Sequence, residues 1–90
     1  MNKKKRPVPT YKEQAEVLKR PWIDTKGIMI LLPIGETAAV RVRQEIEKEM
    51  EESGEFYFKD TRPRLIPTRK VVEKFKLDPK VIYREARREM

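Results

Sequence analysis

Apolar residues recur at helical spacing along the first half of the chain, and proline or glycine ends each segment in which they do. Thr10 begins a capping-box pattern, which predicts a helix over 11–19. An N-cap at Asp24 or Thr25 precedes a second apolar segment, 26–32, which ends before a proline. The pattern therefore predicts two short helices before the chain reaches its longest periodic segment.

That longest segment is 36–52, followed by the helix-stopping pair Ser53-Gly54. Its apolar residues lie within about 80° of Val42 on a helical wheel, and they are Ala38, Ala39, Val42, Ile46 and Met50. The opposite side of the wheel holds Thr37, Val40, Gln44 and Glu47, with Arg41 and Arg43 on the flanks. The spacing predicts an amphipathic helix that buries the first set and exposes the second.

The run Ile28–Leu32 is apolar on every side, so its pattern fits a buried strand as well as a helix. A strand here, followed by a loop and a helix, would resemble a phosphate-binding unit. Such a unit requires a second glycine and a Gly-Lys-Ser/Thr ending, whereas Gly35 stands alone and no lysine follows it. We therefore expect a helix and no nucleotide site.

Aromatic, strand-like residues follow the long helix. Residues 55–58 and 64–66 can form two strands around the turn 59–63, so the sequence predicts a β-hairpin with a basic tip. Strand alternation predicts that Phe56 and Phe58 face the core.

Two further helices are predicted after the hairpin. Thr68 is a candidate cap for a short helix that turns Val72 and Phe75 inward. Asp78 and Pro79 are an N-cap and a first helical residue, and they open a last helix. The predicted fold class is therefore mostly α with a small β-hairpin.

Composition favours binding over catalysis. The chain of 90 residues holds 22 Lys and Arg against 15 Asp and Glu, a formal net charge of +7, and it contains neither cysteine nor histidine. Disulfides, zinc fingers and His-dependent catalytic sites are thereby excluded, and we expect no enzyme activity, no cofactor and no metal. The longest apolar run is too short to cross a bilayer, so we expect a cytoplasmic protein without a membrane partner.

The two helices 26–32 and 36–52, joined by a short turn, form a helix-turn-helix arrangement, and the hairpin then takes the position of a wing. The segment Thr25–Arg41, the hairpin 56–66 and the entry Pro67–Lys70 resemble small winged helix-turn-helix proteins of phages and integrative elements. The closest likeness is to excisionase-like and repressor-like members.

The resemblance covers residues 23–77 and implies sequence-specific binding of double-stranded DNA by a small excisionase-like protein or transcription regulator. It also implies an integrase or another regulator as a further partner, and a homo-oligomer on DNA. The alternative is a protein-interaction adaptor whose helices dock a larger partner and whose positive charge is incidental.

In such a protein the second helix of the pair enters the major groove with its N-terminal residues at the base edges. Arginine can bond bidentately to guanine, glutamine can bond adenine, and threonine or valine methyl groups can touch the thymine methyl. The candidate DNA-binding residues on this helix are Glu36, Thr37, Val40, Arg41, Arg43 and Gln44. The alternative is that these residues form an ordinary solvent-exposed helix face without a binding function.

A second group of candidates is basic and lies in and after the hairpin. Lys59, Arg62, Arg64, Arg69 and Lys70 can reach phosphates beside the major-groove helix. Positive charge on a hairpin edge also deters aggregation, which is the alternative explanation.

The N-terminal residues 1–10 read as a basic, flexible tail ahead of one domain over 11–90. Lys3–Arg6 supply four positive charges, which can either follow DNA or keep the chain in solution.

Overall fold

A computed structural model of the protein describes residues 9–56, 58 and 62–89. The described part is mostly helical, with one small two-stranded antiparallel sheet. In chain order the elements are α1 (Tyr11–Leu18), β1 (Trp22–Ile23), α2 (Thr25–Leu31), α3 (Glu36–Ser53), β2 (Ile66–Pro67), α4 (Thr68–Phe75) and α5 (Pro79–Arg88).

Side-chain caps define the N-termini of α1, α2 and α5, as the sequence predicts. The Thr10 hydroxyl accepts the backbone N–H of Glu13, and the Glu13 carboxylate accepts the backbone N–H of Thr10 at 2.8 Å. The Asp24 side chain accepts the N–H of Gly27 at 3.0 Å, so it caps α2. The apolar run after it is therefore helical, and the predicted helix is confirmed over most of the run.

The long helix α3 ends at Gly54, whose φ of 79° is in the left-handed region that favours glycine. At the other end of the chain the Asp78 side chain accepts the N–H of Lys80 and caps α5, with Pro79 at the first helical position. Both predicted ends are confirmed.

The sheet differs from the predicted hairpin. β1 pairs with β2 antiparallel, Trp22 opposite Pro67 and Ile23 opposite Ile66. Of the predicted hairpin pairing, the described residues show one isolated antiparallel bridge, between Phe58 and Leu65. The segment before α2 thus provides the main partner of the returning strand, a long-range pairing that no local sequence pattern indicates.

The main core lies between α2, α3 and the sheet. Its fully buried side chains come from elements far apart in sequence, and the largest are Val17, Ile23, Ile28, Leu31, Ile46, Met50, Ile66 and Val71. A second, smaller cluster joins Ala15 of α1 to Ile82 and Ala86 of α5. The helices therefore pack in series, with α5 on α1, α1 on α2 and α2 on α3.

Two positions of α3 contradict the helical wheel. Ala38 is exposed although it lies on the predicted apolar arc, and Glu47 is 6% exposed although it was expected to face solvent. The reason is tertiary: the chain that returns towards β2 covers Glu47 and brings Arg64 against its carboxylate.

The predicted inward positions after α3 also need correction. Phe56 is 70% exposed and Phe75 is 40% exposed, while Val72 is only half-buried. Pro67, not Thr68, is the N-cap of α4, and Thr68 is itself buried, its hydroxyl donating to the Arg20 carbonyl. This anchor rotates α4 so that Val71 fills the core instead.

Within the described residues, no helix combines the length and the apolar character that a bilayer crossing needs.

Candidate nucleic-acid interface

The N-terminal half of α3 presents a polar face on which Arg41 and Gln44 have no partner among the described residues. Thr37, Arg41 and Gln44 are exposed and Val40 is half-buried. The side chains of Arg41 and Gln44 form no hydrogen bond or ion pair with any described residue. Their donors and acceptors are therefore available to a ligand that approaches this face.

The same face extends further along α3 than the sequence analysis proposed. Lys48 follows Arg41 by seven residues, which is two helical turns, and it is exposed. Glu36, at the first helical position, is also exposed. The i, i+7 spacing in the sequence was the signal that could have added Lys48 to the candidates.

Helix α2 holds this face in position from behind. Ile28 and Leu31 of α2 are buried against α3, where Ala39 and Ile46 are fully buried. The apolar side of α3 therefore packs on the core and fixes the helix, while its polar side remains exposed to solvent.

Arg43 is placed in an internal ion-pair cluster and not on the open face. Its Nη1 lies 3.0 Å from Oε1 of Glu47, and its side chain is 12% exposed. Arg64 donates to the same Oε1 at 3.3 Å from the chain that leads into β2. Two of the predicted DNA-binding arginines therefore pair with Glu47, and Arg64 links α3 to that chain.

The other candidates near the hairpin fall into two groups. Arg62 is exposed, and Lys59 lies outside the described residues. Arg69 and Lys70, in the first turn of α4, both pair with the Glu55 carboxylate, at 3.7 Å and 2.8 Å. The structure thus brings the α4 cations to the end of α3, where a carboxylate offsets their charge.

These ion pairs shift the pKa of two groups. The hydrogen bond from Lys70 and its positive charge hold the pKa of the Glu55 carboxyl below its usual value. The hydrogen bond to Glu49, together with the charges of Glu49 and Glu45, raises the pKa of Lys74. Helix α4 is therefore held electrostatically along the acidic C-terminal half of α3.

We expect the contribution of Glu55 to stability to disappear in acid. Because its pKa is lowered on folding, the contribution is present above the unfolded pKa of about 4.5 and is lost as pH falls through the folded value. Urea unfolding of wild type and Glu55→Gln should show a stability difference at neutral pH that shrinks towards pH 3. Glu52→Gln, at an exposed position without a described ion pair, is the matched control. A difference independent of pH would contradict the expectation.

An aromatic cluster lies beside this region. The ring of Trp22 meets Phe58 edge-on at 4.7 Å and Phe56 at 6.4 Å between centroids. Trp22 is half-buried, so part of its ring is accessible. It also lines an open groove of 440 Å³, together with Leu18, Arg20, Pro21, Thr68, Arg69, Val72, Pro79 and Tyr83.

Within the described ranges, no group of three or more acidic side chains is arranged to hold a metal ion. Comparison of the chain with protein-family models, with curated proteins and with solved structures finds no match. The geometry and charge of the surface are therefore the basis for any functional proposal.

Proposed function

We propose that this protein binds double-stranded DNA sequence-specifically as a winged helix-turn-helix protein, with α3 in the major groove. The observation that supports the proposal most directly is the open polar face of α3, where Arg41 and Gln44 have no partner among the described residues. Arginine can bond guanine bidentately, and glutamine can bond adenine in the same way.

The order and pairing of the elements support the same proposal. Helix α2, a short turn and α3 stand in series, and β2 returns beside β1 after the region of the predicted wing. An antiparallel bridge such as that between Phe58 and Leu65 is expected at the base of a wing hairpin. In this arrangement α2 supports α3, and Arg62, beyond the bridge, would lie beside the DNA backbone.

The charge distribution along α3 fits entry by its N-terminal half alone. Its acidic half includes Glu45 and Glu49, which pair with Lys74 of α4, and Glu52, which is exposed. Carboxylates at this end would repel phosphates, so the helix would approach the groove at an angle with Thr37, Arg41 and Gln44 leading. The role of a small regulator or excisionase-like factor, acting beside an integrase, is the form of DNA binding that the resemblance implies.

Selection from a pool of random duplexes tests the proposal. We expect wild type to enrich a defined motif, and we expect Arg41→Ala and Gln44→Ala each to lose about 1–3 kcal/mol of discrimination at one base position. Lys19→Gln, which removes an exposed cation at the end of α1, is the matched control and should retain the wild-type motif. Failure of wild type to retard any duplex at low salt would overturn the proposal. Equal weakening of all sequences by both variants would instead assign the two residues to phosphates.

A protein-interaction adaptor is the second candidate, and one observation favours it. Phe56 is 70% exposed and touches Trp22, which lines the groove between α1, α4 and α5. An exposed aromatic side chain next to an open apolar groove is typical of a protein-binding surface. If Phe56→Ser abolished binding to a partner while wild type bound no DNA, the adaptor would replace the DNA-binding proposal.

A further inference from the structure

Helix α5 has a strongly basic outer face. Lys80, Arg84, Arg87 and Arg88 are all exposed, and their spacing of i, i+4, i+7 and i+8 places them on one side of the helix. The opposite side holds Ile82 and Ala86, which are buried against Ala15 of α1.

This face remains positive because few carboxylates offset it. Glu85 is the acidic partner found for it among the described residues, at 3.8 Å from Arg84 and 3.1 Å from Arg88. Lys80 and Arg87 form no ion pair with the described part of the chain. Near α3, by contrast, Glu47 and Glu55 each pair with two cations.

Helix stability does not explain the arrangement. Arg87 and Arg88 lie in the last turn of α5, where a positive charge interacts favourably with the helix dipole and stabilises the helix. Lys80 lies in the first turn, where a positive charge is destabilising. Four cations on one face also repel one another. An external polyanion would remove both costs.

We infer that the outer face of α5 is a second phosphate-binding surface, which contacts the backbone of duplex DNA without reading its sequence. From Lys80 to Arg87 the helix advances about 10 Å, a length that faces about three phosphates of one strand. A membrane surface fits less well, because an interfacial helix needs a free apolar face and the apolar face of α5 is occupied by α1.

The basic face of α5 is separate from the α3 face that we propose to contact the bases. Helix α5 packs chiefly on α1, whereas α3 packs chiefly on α2. The inference rests on the proposed DNA binding and adds that the flanking duplex, or a second duplex, contacts the protein away from α3.

The salt dependence of binding tests the inference. We expect the slope of log K against log salt to become shallower by about 1–2 units in the double variant Lys80→Gln, Arg87→Gln, because each lost phosphate contact removes about 0.9. The preferred sequence should remain that of wild type, since the lost contacts are to phosphates. The control double variant Lys19→Gln, Lys76→Asn removes the same net charge elsewhere and should leave the slope unchanged. Circular dichroism should show the same helix content in all three proteins.

The outcomes separate the inference from the proposed function. If wild type binds a selected duplex and the α5 variant binds it with an unchanged slope, the α5 surface is refuted while DNA binding by α3 stands. If no duplex is bound, both fail. A third outcome is that wild type binds phosphatidylserine vesicles, the α5 variant does not, and the salt dependence of DNA binding is the same for both. The polyanion is then a membrane and the inference is overturned.

Discussion

Glu47→Ala is expected to lower the free energy of unfolding by about 3–5 kcal/mol, the usual loss when one partner of a buried ion pair is removed. Glu47 is 6% exposed, and its Oε1 accepts from Arg43, whose side chain is 12% exposed. Removing the carboxylate would leave the guanidinium of Arg43 buried without a counter-charge. Equilibrium urea denaturation, followed by circular dichroism, measures the loss.

Two further variants test whether the loss comes from an unpaired buried charge. Arg64 is 47% exposed, so Arg64→Ala should cost only about 0–1 kcal/mol. Replacing both buried charges, in Arg43→Met with Glu47→Leu, should recover most of the stability, because no charge then remains unpaired in the interior. One carboxylate oxygen, Oε2, has no hydrogen-bond partner among the described residues, which favours this recovery. A loss below 1 kcal/mol for Glu47→Ala would show that the pair is solvated.

Gly27→Val is expected to cost roughly 3 kcal/mol, the upper part of the range for overpacking a core. A Cβ atom added at Gly27 would lie 2.8 Å from Cβ of Ile23 and 3.2 Å from its Cγ2. Ile23 belongs to β1 and is 1% exposed, so its Cβ is fixed by the paired backbone and cannot rotate away. Close approach of β1 to α2 is therefore the reason for glycine inside this helix.

The sign of the Gly27 effect is informative. Replacing an exposed helical glycine with alanine normally raises the free energy of unfolding by about 1 kcal/mol. Gly27→Ala should lower it, because the close contact with Ile23 outweighs that gain. Lys26→Val, on the neighbouring exposed position of α2, is the control and should change stability by only a few tenths of a kcal/mol. A stabilised Gly27→Ala variant would mean that β1 moves away from α2 at little cost.

Part of the candidate interface could be predicted from sequence. Helical periodicity alone indicated that Thr37, Arg41 and Gln44 share a face, and the structure leaves all three exposed. The same reasoning could not place Arg43 or Glu47, because burial of a flanking residue depends on what covers it.

The basic face of α5 shows a different gap. Its four cations follow a simple helical spacing, which the sequence displays. Lys80 and Arg87 form no ion pair with a described residue, whereas Arg69, Lys70 and Lys74 are paired, and this difference is visible only when the carboxylates of neighbouring elements are located. Net charge sums all cations and anions of the chain, but the local surface potential depends on which cations have a carboxylate beside them.

The sequence by itself determined where α1, α2 and α5 begin, because a cap acts within one turn: Thr10 with Glu13, Asp24 with Gly27, and Asp78 with Lys80 are two or three residues apart. Only the tertiary structure decided which strand pairs with β1, which face of α4 is buried and where Glu47 finds its cations. These contacts join distant residues, such as Thr68 with Arg20, 48 positions apart, and Arg64 with Glu47, 17 positions apart. A contact between residues so far apart depends on how the intervening chain packs, and no short-range spacing encodes that.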